Sequence, residues 1–191
     1  IVIPTRHRPE LLCRAVKSAL ICCGSEDEIV VVSDHDPTTQ QTLSEMTDPR
    51  VRLIENNTRS GASATRNLGV ASAHGHTVLF LDDDDELQGG YISNILTALD
   101  QPCASWGFAS QLTRTTATDA PQVISRVTLP RGFLGPAVQF RRKLGALSSG
   151  FWVRRQLFLS VGGLCEKQLV DEDVDLCCRL IADGYQPWFE T

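Results

Sequence analysis

The sequence predicts an α/β protein built on one mainly parallel sheet flanked by helices. Apolar runs alternate with helical patterns through the first half, the signature of βαβ units. Three of the runs end in polar residues, in "IVIPTRHR", "VVVSDHD" and "LFLDDDD". In open α/β sheets the carboxyl ends of strands are where loops gather ligand-binding side chains. With 191 residues, 42% of them apolar, the chain can bury one sizeable core and reads as one domain.

Each element carries its own signal. "IVIPT" is the first strand. Pro9 suits a helix start, and Leu11, Leu12, Ala15, Val16, Ala19 and Leu20 give an apolar face at helical period up to about Cys23. "EIVVVSD" (28–34) is a short buried strand, "TTQQTLSEM" a helix and "VRLIEN" a strand. In "SGASATRNLGVASAHG", Ser60 or Gly61 caps an Ala-rich helix that Gly75 stops. "HTVLFL" is the next strand and delivers the aspartates at its carboxyl end. In the second half, "CASWGFASQLTRT" and "PQVISRVTLP" read as strands joined by a polar turn, and the stretch that follows mixes loop signals with a short helix near Arg154–Val161. "LVDEDVDLCCRLIADGY" is an acidic start followed by a helix ending at Gly184. "IVIPT" without an initiator Met and "YQPWFET" as a strand cut short suggest a core whose flanks are missing.

Composition narrows the function. A net charge of -5 offers no basic field for nucleic acid, and no apolar run approaches the ~18 residues needed to span a bilayer. The 7 cysteines are odd in number and show no CxxC spacing. Reduced thiols in a cytosolic setting are therefore expected, ahead of a disulfide framework or zinc site. The basic run Arg141–Lys143 could meet a phosphate-bearing acceptor or the inner face of a membrane, against the ordinary reading of a solvated helix face.

Four consecutive aspartates, Asp82 to Asp85, pose the central chemical question. Two unit charges ~4 Å apart at an effective dielectric near 20 repel by roughly 4 kcal/mol, so solvent or a cation must offset them. On an extended segment, Asp82 and Asp84 point one way while Asp83 and Asp85 point the other, supporting the loop or meeting solvent. A D-x-D pair at a strand end suits Mg2+ or Mn2+, hard cations that combine one or two carboxylates with substrate phosphates. The second cluster, "DEDVD" (171–175), opens a helix. Carboxylates there complement the helix dipole, and one of them can serve as general base. A cap turns back on its own backbone and a base faces the reacting group, so Asp171 is the better cap and Asp173 the better base.

Taken in order, "IVIPTRHRPELLCRAVKSAL", "EIVVVSDHD", "RSGASATRNLGVASAHGHTVLFLDDDDE" and "VGGLCEKQLVDEDVDLCCRLIADGY" resemble family 2 glycosyltransferases with the GT-A fold over nearly the whole chain, most weakly from about Cys103 to Phe151. The resemblance implies a Rossmann-like sheet with a smaller mixed acceptor-side region, as a single catalytic domain over 1–191 with a nucleotide-binding half (about 1–100) and an acceptor-side half (about 101–191). It implies inverting, metal-dependent transfer of a sugar from a nucleotide-sugar donor, uridine being the commonest base, to a hydroxyl on a saccharide, lipid-linked or other acceptor. Carried over by position, Pro4, Thr5 and Arg6 line the nucleotide site, Asp34 hydrogen-bonds the base and Arg66 lies beside the nucleotide. Asp82 sits near the ribose with Asp83 grouped beside it, and Asp84 reaches the metal, Mn2+ or Mg2+. Glu172 helps position the acceptor and Asp173 is the base; Trp152 is the aromatic residue expected on the acceptor side. The location expected from the cysteine usage is cytoplasmic, with a peripheral place at the inner face of a membrane as the alternative.

The chain departs from the pattern at the second strand, where "SDHD" stands in place of two aspartates followed by Gly-Ser, and the C-terminal "QxxRW" element of processive synthases is absent. Two rival enzymes share features of the sequence. A haloacid-dehalogenase-type phosphatase uses a D-x-D after an apolar strand, but here Asp85 and Glu86 follow where a small residue and Thr are usual. A sugar nucleotidyltransferase needs a Gly-rich loop after its first strand, which "PTRHRP" lacks. A catalytically silent nucleotide-sugar-binding module is the third alternative.

Overall fold

The computed structural model describes residues 1–58, 61–109, 112–115, 122–125, 131–134 and 149–190; the Arg141–Lys143 run and Ser60 lie outside them. Ten strands and six helices are considered below. The first half alternates β1 (Val2–Thr5), α1 (Pro9–Cys22), β2 (Ile29–Asp34), α2 (Thr38–Leu43), β3 (Val51–Asn56), α3 (Ala62–Ser72), β4 (Thr77–Leu79) and α4 (Tyr91–Leu99). β1, β2 and β3 pair in parallel, with Val2 opposite Val30 and Ile29 opposite Val51. Val2 also bridges Phe80 in parallel, and the Leu81 N–H donates to the Val2 carbonyl at 3.1 Å. The parallel sheet therefore runs on through β4.

Beyond β4 the sheet turns mixed. β9 (Trp152–Arg154) is antiparallel to both β4 and β5 (Trp106–Ala109), β10 (Trp188–Glu190) is parallel to β5, and β8 (Gly132–Phe133) closes the edge antiparallel to β10. β6 (Leu112–Thr115) and β7 (Gln122–Ser125) form a separate antiparallel pair, as their sequences predict. α5 (Arg155–Ser160) and α6 (Glu172–Ala182) complete the helices.

Alternation along the buried strands explains the layers. Ile3 and Val31 face Leu12, Ala15, Val16 and Ala19 of α1, while Val2, Val30 and Val32 face Val70 of α3 and an aromatic group of Phe80, Phe151 and Phe158. Burial of each Val, Leu, Ile or Phe among them stabilises the fold by roughly 1.5–3 kcal/mol. α3 lies close because position 69 is glycine: a Cβ there would collide with Val2 and press Val32. This close approach brings the amino end of α3 to the carboxyl ends of β2 and β4.

Several elements differ from expectation. α2 stops at Leu43, before "SEM"; its three threonines are stiff at χ1 and weak helix formers. α3 stops at Ser72, with Ala73 extended, so Gly75 does not end it; the Gly75 N–H instead donates to Glu28 at 2.9 Å. α4 has no counterpart in the sequence reading, although Ile92, Ile95, Leu96 and Leu99 carry a helical period. β9 occupies a stretch read as loop and helix start.

Candidate functional site

The carboxyl ends of β1, β2 and β4 and the amino ends of α3 and α6 meet at one place. The four aspartates form a turn there, because the Asp85 N–H donates to the Asp82 carbonyl at 3.1 Å. This overturns the expected alternation. Asp83 points inward and is buried, accepting from the Thr5 hydroxyl at 2.7 Å and from Arg8 Nη1 at 3.1 Å. Asp85 instead joins Asp82 and Asp84, each of the three offering one oxygen within 4.8 Å of the others. An all-oxygen donor set of that size fits a hard divalent cation. The Asp82 N–H donates to the Ser149 hydroxyl at 2.9 Å, which fixes the start of the turn from the β9 side. Arg8 Nη1 also reaches Asp84 at 2.8 Å, and the charges of Asp83 and then Asp84 raise the pKa of Arg8 above its ordinary value.

The loops after β1 and β2 are locked to each other. Pro4 is buried within β1, opposite Val32. Arg6 approaches Asp34 at 3.8 Å. Asp34 is buried; its Oδ2 accepts from the Gly61 N–H at 3.1 Å, while its Oδ1 is buried without a hydrogen-bond partner. Gly61 caps α3 at φ 109°, a conformation that glycine adopts without strain. In "SDHD" the acid absent at position 33 is met by one at 36. Ser33 donates inward to the Asp36 carbonyl at 2.7 Å, and the Asp36 carboxylate accepts from the His7 N–H (2.9 Å), the Thr38 N–H (3.0 Å) and the Thr38 and Thr39 hydroxyls (2.6 and 3.1 Å). Burial pushes the Asp36 carboxyl up, but these donors together outweigh it and hold its pKa well below the usual carboxylate range. His7 and His35 both adopt left-handed backbone, at φ 54° and 51°, strain of the kind that collects at ligand-binding loops.

Arg66 joins the two acidic clusters. It is buried on α3, with Nη2 2.6 Å from Asp82 Oδ1 and Nη1 3.5 Å from Glu172 Oε1, and its Nε is buried without a hydrogen-bond partner. Arg66, Phe80, Phe151, Leu164, Glu172, Asp173 and Leu176 line a narrow cleft of about 20 Å³. Behind it, α6 is held by Arg179, which donates to the Gly163 carbonyl at 2.7 Å and pairs with Asp175 at 2.8 Å. Asn67 adds a two-way amide pair with the Leu164 backbone, both bonds 2.9 Å. Asp171 holds the cap position of α6, yet at φ 59° its side chain makes no capping bond, so the expected side-chain cap is absent; it is Asp173 whose Oδ1 accepts a backbone N–H, that of Val174 at 2.8 Å.

The expectation for Trp152 fails. Trp152 is 0% exposed and packs with Leu79, Ile95 and Trp188, because β9 is an inner strand between β4 and β5. No face of its ring is open to a saccharide. A larger cavity of about 710 Å³ lies at the opposite, amino ends of the strands, among residues such as Glu28, Arg52 and His74, away from every carboxylate of the turn. Sequence reading missed Arg8 and Asp36. Arg8 precedes the helix-starting Pro9, and Asp36-Pro37-Thr38 is a turn pattern in which an Asp carboxylate accepts from the backbone N–H two residues on, as the Thr38 N–H does here.

A parallel α/β sheet continued by a mixed one, with an oxygen-rich turn after β4 and an acidic helix facing it, defines a GT-A-type glycosyltransferase fold. The sequence model of glycosyl transferase family 2 matches residues 1–162, and the chain belongs to that family. The phosphatase and nucleotidyltransferase alternatives fall with that match. The chain is similar to the putative colanic acid biosynthesis glycosyl transferase of Escherichia coli (strain K12), 38% identical over 89 residues, covering 45% of this chain and 32% of the relative. It is also similar to the GalNAc(5)-diNAcBac-PP-undecaprenol beta-1,3-glucosyltransferase of Campylobacter jejuni, 33% identical over 100 residues, covering 50% of this chain and 32% of that one. Its fold matches Staphylococcus aureus TarS, residues 1–349, in complex with UDP-GlcNAc, at a TM-score of 0.79 and 18% identity, over 99% of this chain and 54% of that one. The chain thus spans about a third of the length of these two curated relatives (32% of each).

Proposed function

We propose that this chain transfers a sugar from a nucleotide-sugar donor to an acceptor hydroxyl with inversion at the anomeric carbon. One observation carries the reading: the 2.6 Å and 3.5 Å contacts of Arg66 set the Asp82–Asp85 turn and the start of α6 on either side of a single buried side chain. Donor diphosphate and acceptor hydroxyl are thereby brought together. The loop of Pro4, Thr5 and Arg6 lines the nucleotide, and the unpartnered Oδ1 of Asp34 is a ready acceptor for an N–H of the base. Asp82 faces the ribose and Asp84 the metal. Asp83, tied to Thr5, shapes the nucleotide loop from within. A bound Mn2+ or Mg2+, held by Asp84 with Asp82 and Asp85 at hand, would supply Lewis-acid neutralisation of the leaving diphosphate.

Asp173 takes the proton of the acceptor hydroxyl as its oxygen bonds the anomeric carbon, and the bond from that carbon to the diphosphate oxygen breaks with its electron pair leaving on the diphosphate. Glu172 holds Arg66 and orients the acceptor. Uridine is the proposed base, in keeping with the UDP-GlcNAc of the TarS complex, and a hexose the proposed sugar. The acceptor is a lipid-linked saccharide, as the name of the Campylobacter relative suggests; exposed Leu169 and Val170 on the loop into α6 suit such a ligand. Among the described residues no helix is long and apolar enough to cross a membrane, and the proposed location is the cytoplasmic face of one. The catalytic domain extends over 1–191, with a donor half to about residue 100 and an acceptor half beyond it.

Calorimetry with nucleoside diphosphates, with and without Mn2+, tests the reading. Metal-dependent binding of one of them is expected, and binding of none would overturn it. A silent binding module would bind donor but neither transfer nor hydrolyse it.

A further inference from the structure

One cation at the turn has no part in the transfer described above. Arg8 stands at the cap position of α1, immediately before Pro9, and a single nitrogen, Nη1, reaches both Asp83 Oδ1 at 3.1 Å and Asp84 Oδ2 at 2.8 Å. The two contacts are unequal. The Asp83 side chain is only 7% exposed and is also fixed by Thr5, whereas that of Asp84 is 50% exposed. The first contact is an anchor and the second can be released.

We propose that Arg8 is a built-in counter-ion for Asp84. It holds that carboxylate until donor and metal arrive together, then releases it and turns its guanidinium to the donor diphosphate, keeping its anchor on Asp83. The inference rests on the proposed metal-binding role of Asp84. Its physical basis is competition: a guanidinium 2.8 Å from Asp84 neutralises part of the charge that attracts a divalent ion and repels that ion directly. A nucleoside diphosphate reverses the balance, because it brings negative charge that both cations can share. The arrangement makes metal binding weak on its own and strong with nucleotide.

The test is Mn2+ affinity, read from the electron paramagnetic resonance signal of free Mn2+, titrated into the wild-type chain, Arg8→Gln and Arg8→Lys, each with and without UDP or GDP. Arg8→Gln is expected to bind Mn2+ alone about fivefold more tightly, the value of one half-exposed ion pair, and to lose about the same factor of the enhancement by nucleotide. Arg8→Lys should stay within about twofold of wild type, since one nitrogen makes both contacts and a point charge can replace it. Circular dichroism checks that the variants fold. If folded Arg8→Gln binds Mn2+ alone no more tightly than wild type, the proposal is overturned while the metal site stands. Should Arg8→Gln not fold, Arg8→Lys with wild type decides: Mn2+ affinity of the wild-type chain that is equal with and without nucleotide overturns the proposal. If the wild-type chain binds no Mn2+ with any nucleoside diphosphate, the metal reading itself fails and takes the proposal with it.

Discussion

The Asp82–Asp85 turn and the first turn of α6 are both dense in carboxylates, yet they arrange them differently. In the turn, three oxygens converge within 4.8 Å and the fourth carboxylate, Asp83, is drawn into the protein. In α6 the carboxylates fan around a helix: Glu172 meets Arg66, Asp175 meets Arg179 and Asp173 lines the cleft. Convergence suits a cation, and dispersion gives each group a separate task. Charge density in a sequence therefore identifies an acidic site but not its chemistry; the backbone conformation that carries the charges decides that.

The largest effect should come from the dispersed cluster. Asp173→Asn is expected to lower transfer about 10³-fold, within the usual range for a lost general base, while nucleoside diphosphate affinity stays within about twofold. Transfer assays and calorimetry on the same preparation check both. Unchanged turnover would remove Asp173 from the mechanism, and an equal loss of nucleotide binding would merge the two clusters into one site.

Next in size is the link between them. Arg66→Met leaves Asp82 and Glu172 without their shared buried partner, and the expected loss is about 3 kcal/mol of stability, read from urea denaturation. A loss below about 1 kcal/mol would mean that water already screens the bridge, and the clusters would then be held apart by packing alone.

Much of this was legible in the residues. "IVIPT", "EIVVVSD" and "VRLIEN" are apolar runs between turn signals, and all three are parallel strands. Both acidic clusters were also legible, along with the elements that carry them. The turn at Asp82–Asp85 was not, because alternation assumes an extended chain and the Asp85 to Asp82 hydrogen bond ends it. Trp152 was misread for a related reason. Its stretch "SSGFWVRR" falls in the region expected to approach donor sugar and acceptor, and only the order β4-β9-β5 shows that its strand is interior, so the ordinary reading of a core aromatic holds. Arg8 and Asp36 make contacts 75 and 29 residues away in sequence, pairings that spacing alone cannot supply.

Within the convergent cluster, Asp85→Asn tests whether the three converging carboxylates, rather than the alternating pair, form the proposed metal site. About tenfold weaker Mn2+ binding in the presence of nucleotide is expected, roughly 1.4 kcal/mol. Asp83→Asn should leave metal affinity within about twofold but lower the unfolding midpoint, since buried Thr5 and half-exposed Arg8 lose a charged acceptor inside the fold. The opposite pattern would restore the alternating arrangement.

The smallest effect extends the comparison to a third carboxylate, which neither converges on a metal site nor faces the cleft. Asp36 pins the loop after β1 to the start of α2 through donors from His7, Thr38 and Thr39. Its pKa in the folded chain lies below the unfolded value, so the stability it contributes is present above the ordinary carboxylate range and is lost as pH falls through that range toward the folded value. Asp36→Asn should therefore cost about 1 kcal/mol near neutral pH, with the gap to wild type starting to close below about pH 4, where the unfolded chain takes up the proton while the folded chain still resists it. Thermal unfolding of both chains across pH 3 to 7 reads the convergence directly. A gap that stays constant with pH would mean that Asp36 contributes through shape rather than charge, and that loop pinning, unlike the proposed metal binding and proton transfer, makes no use of the carboxylate being ionised.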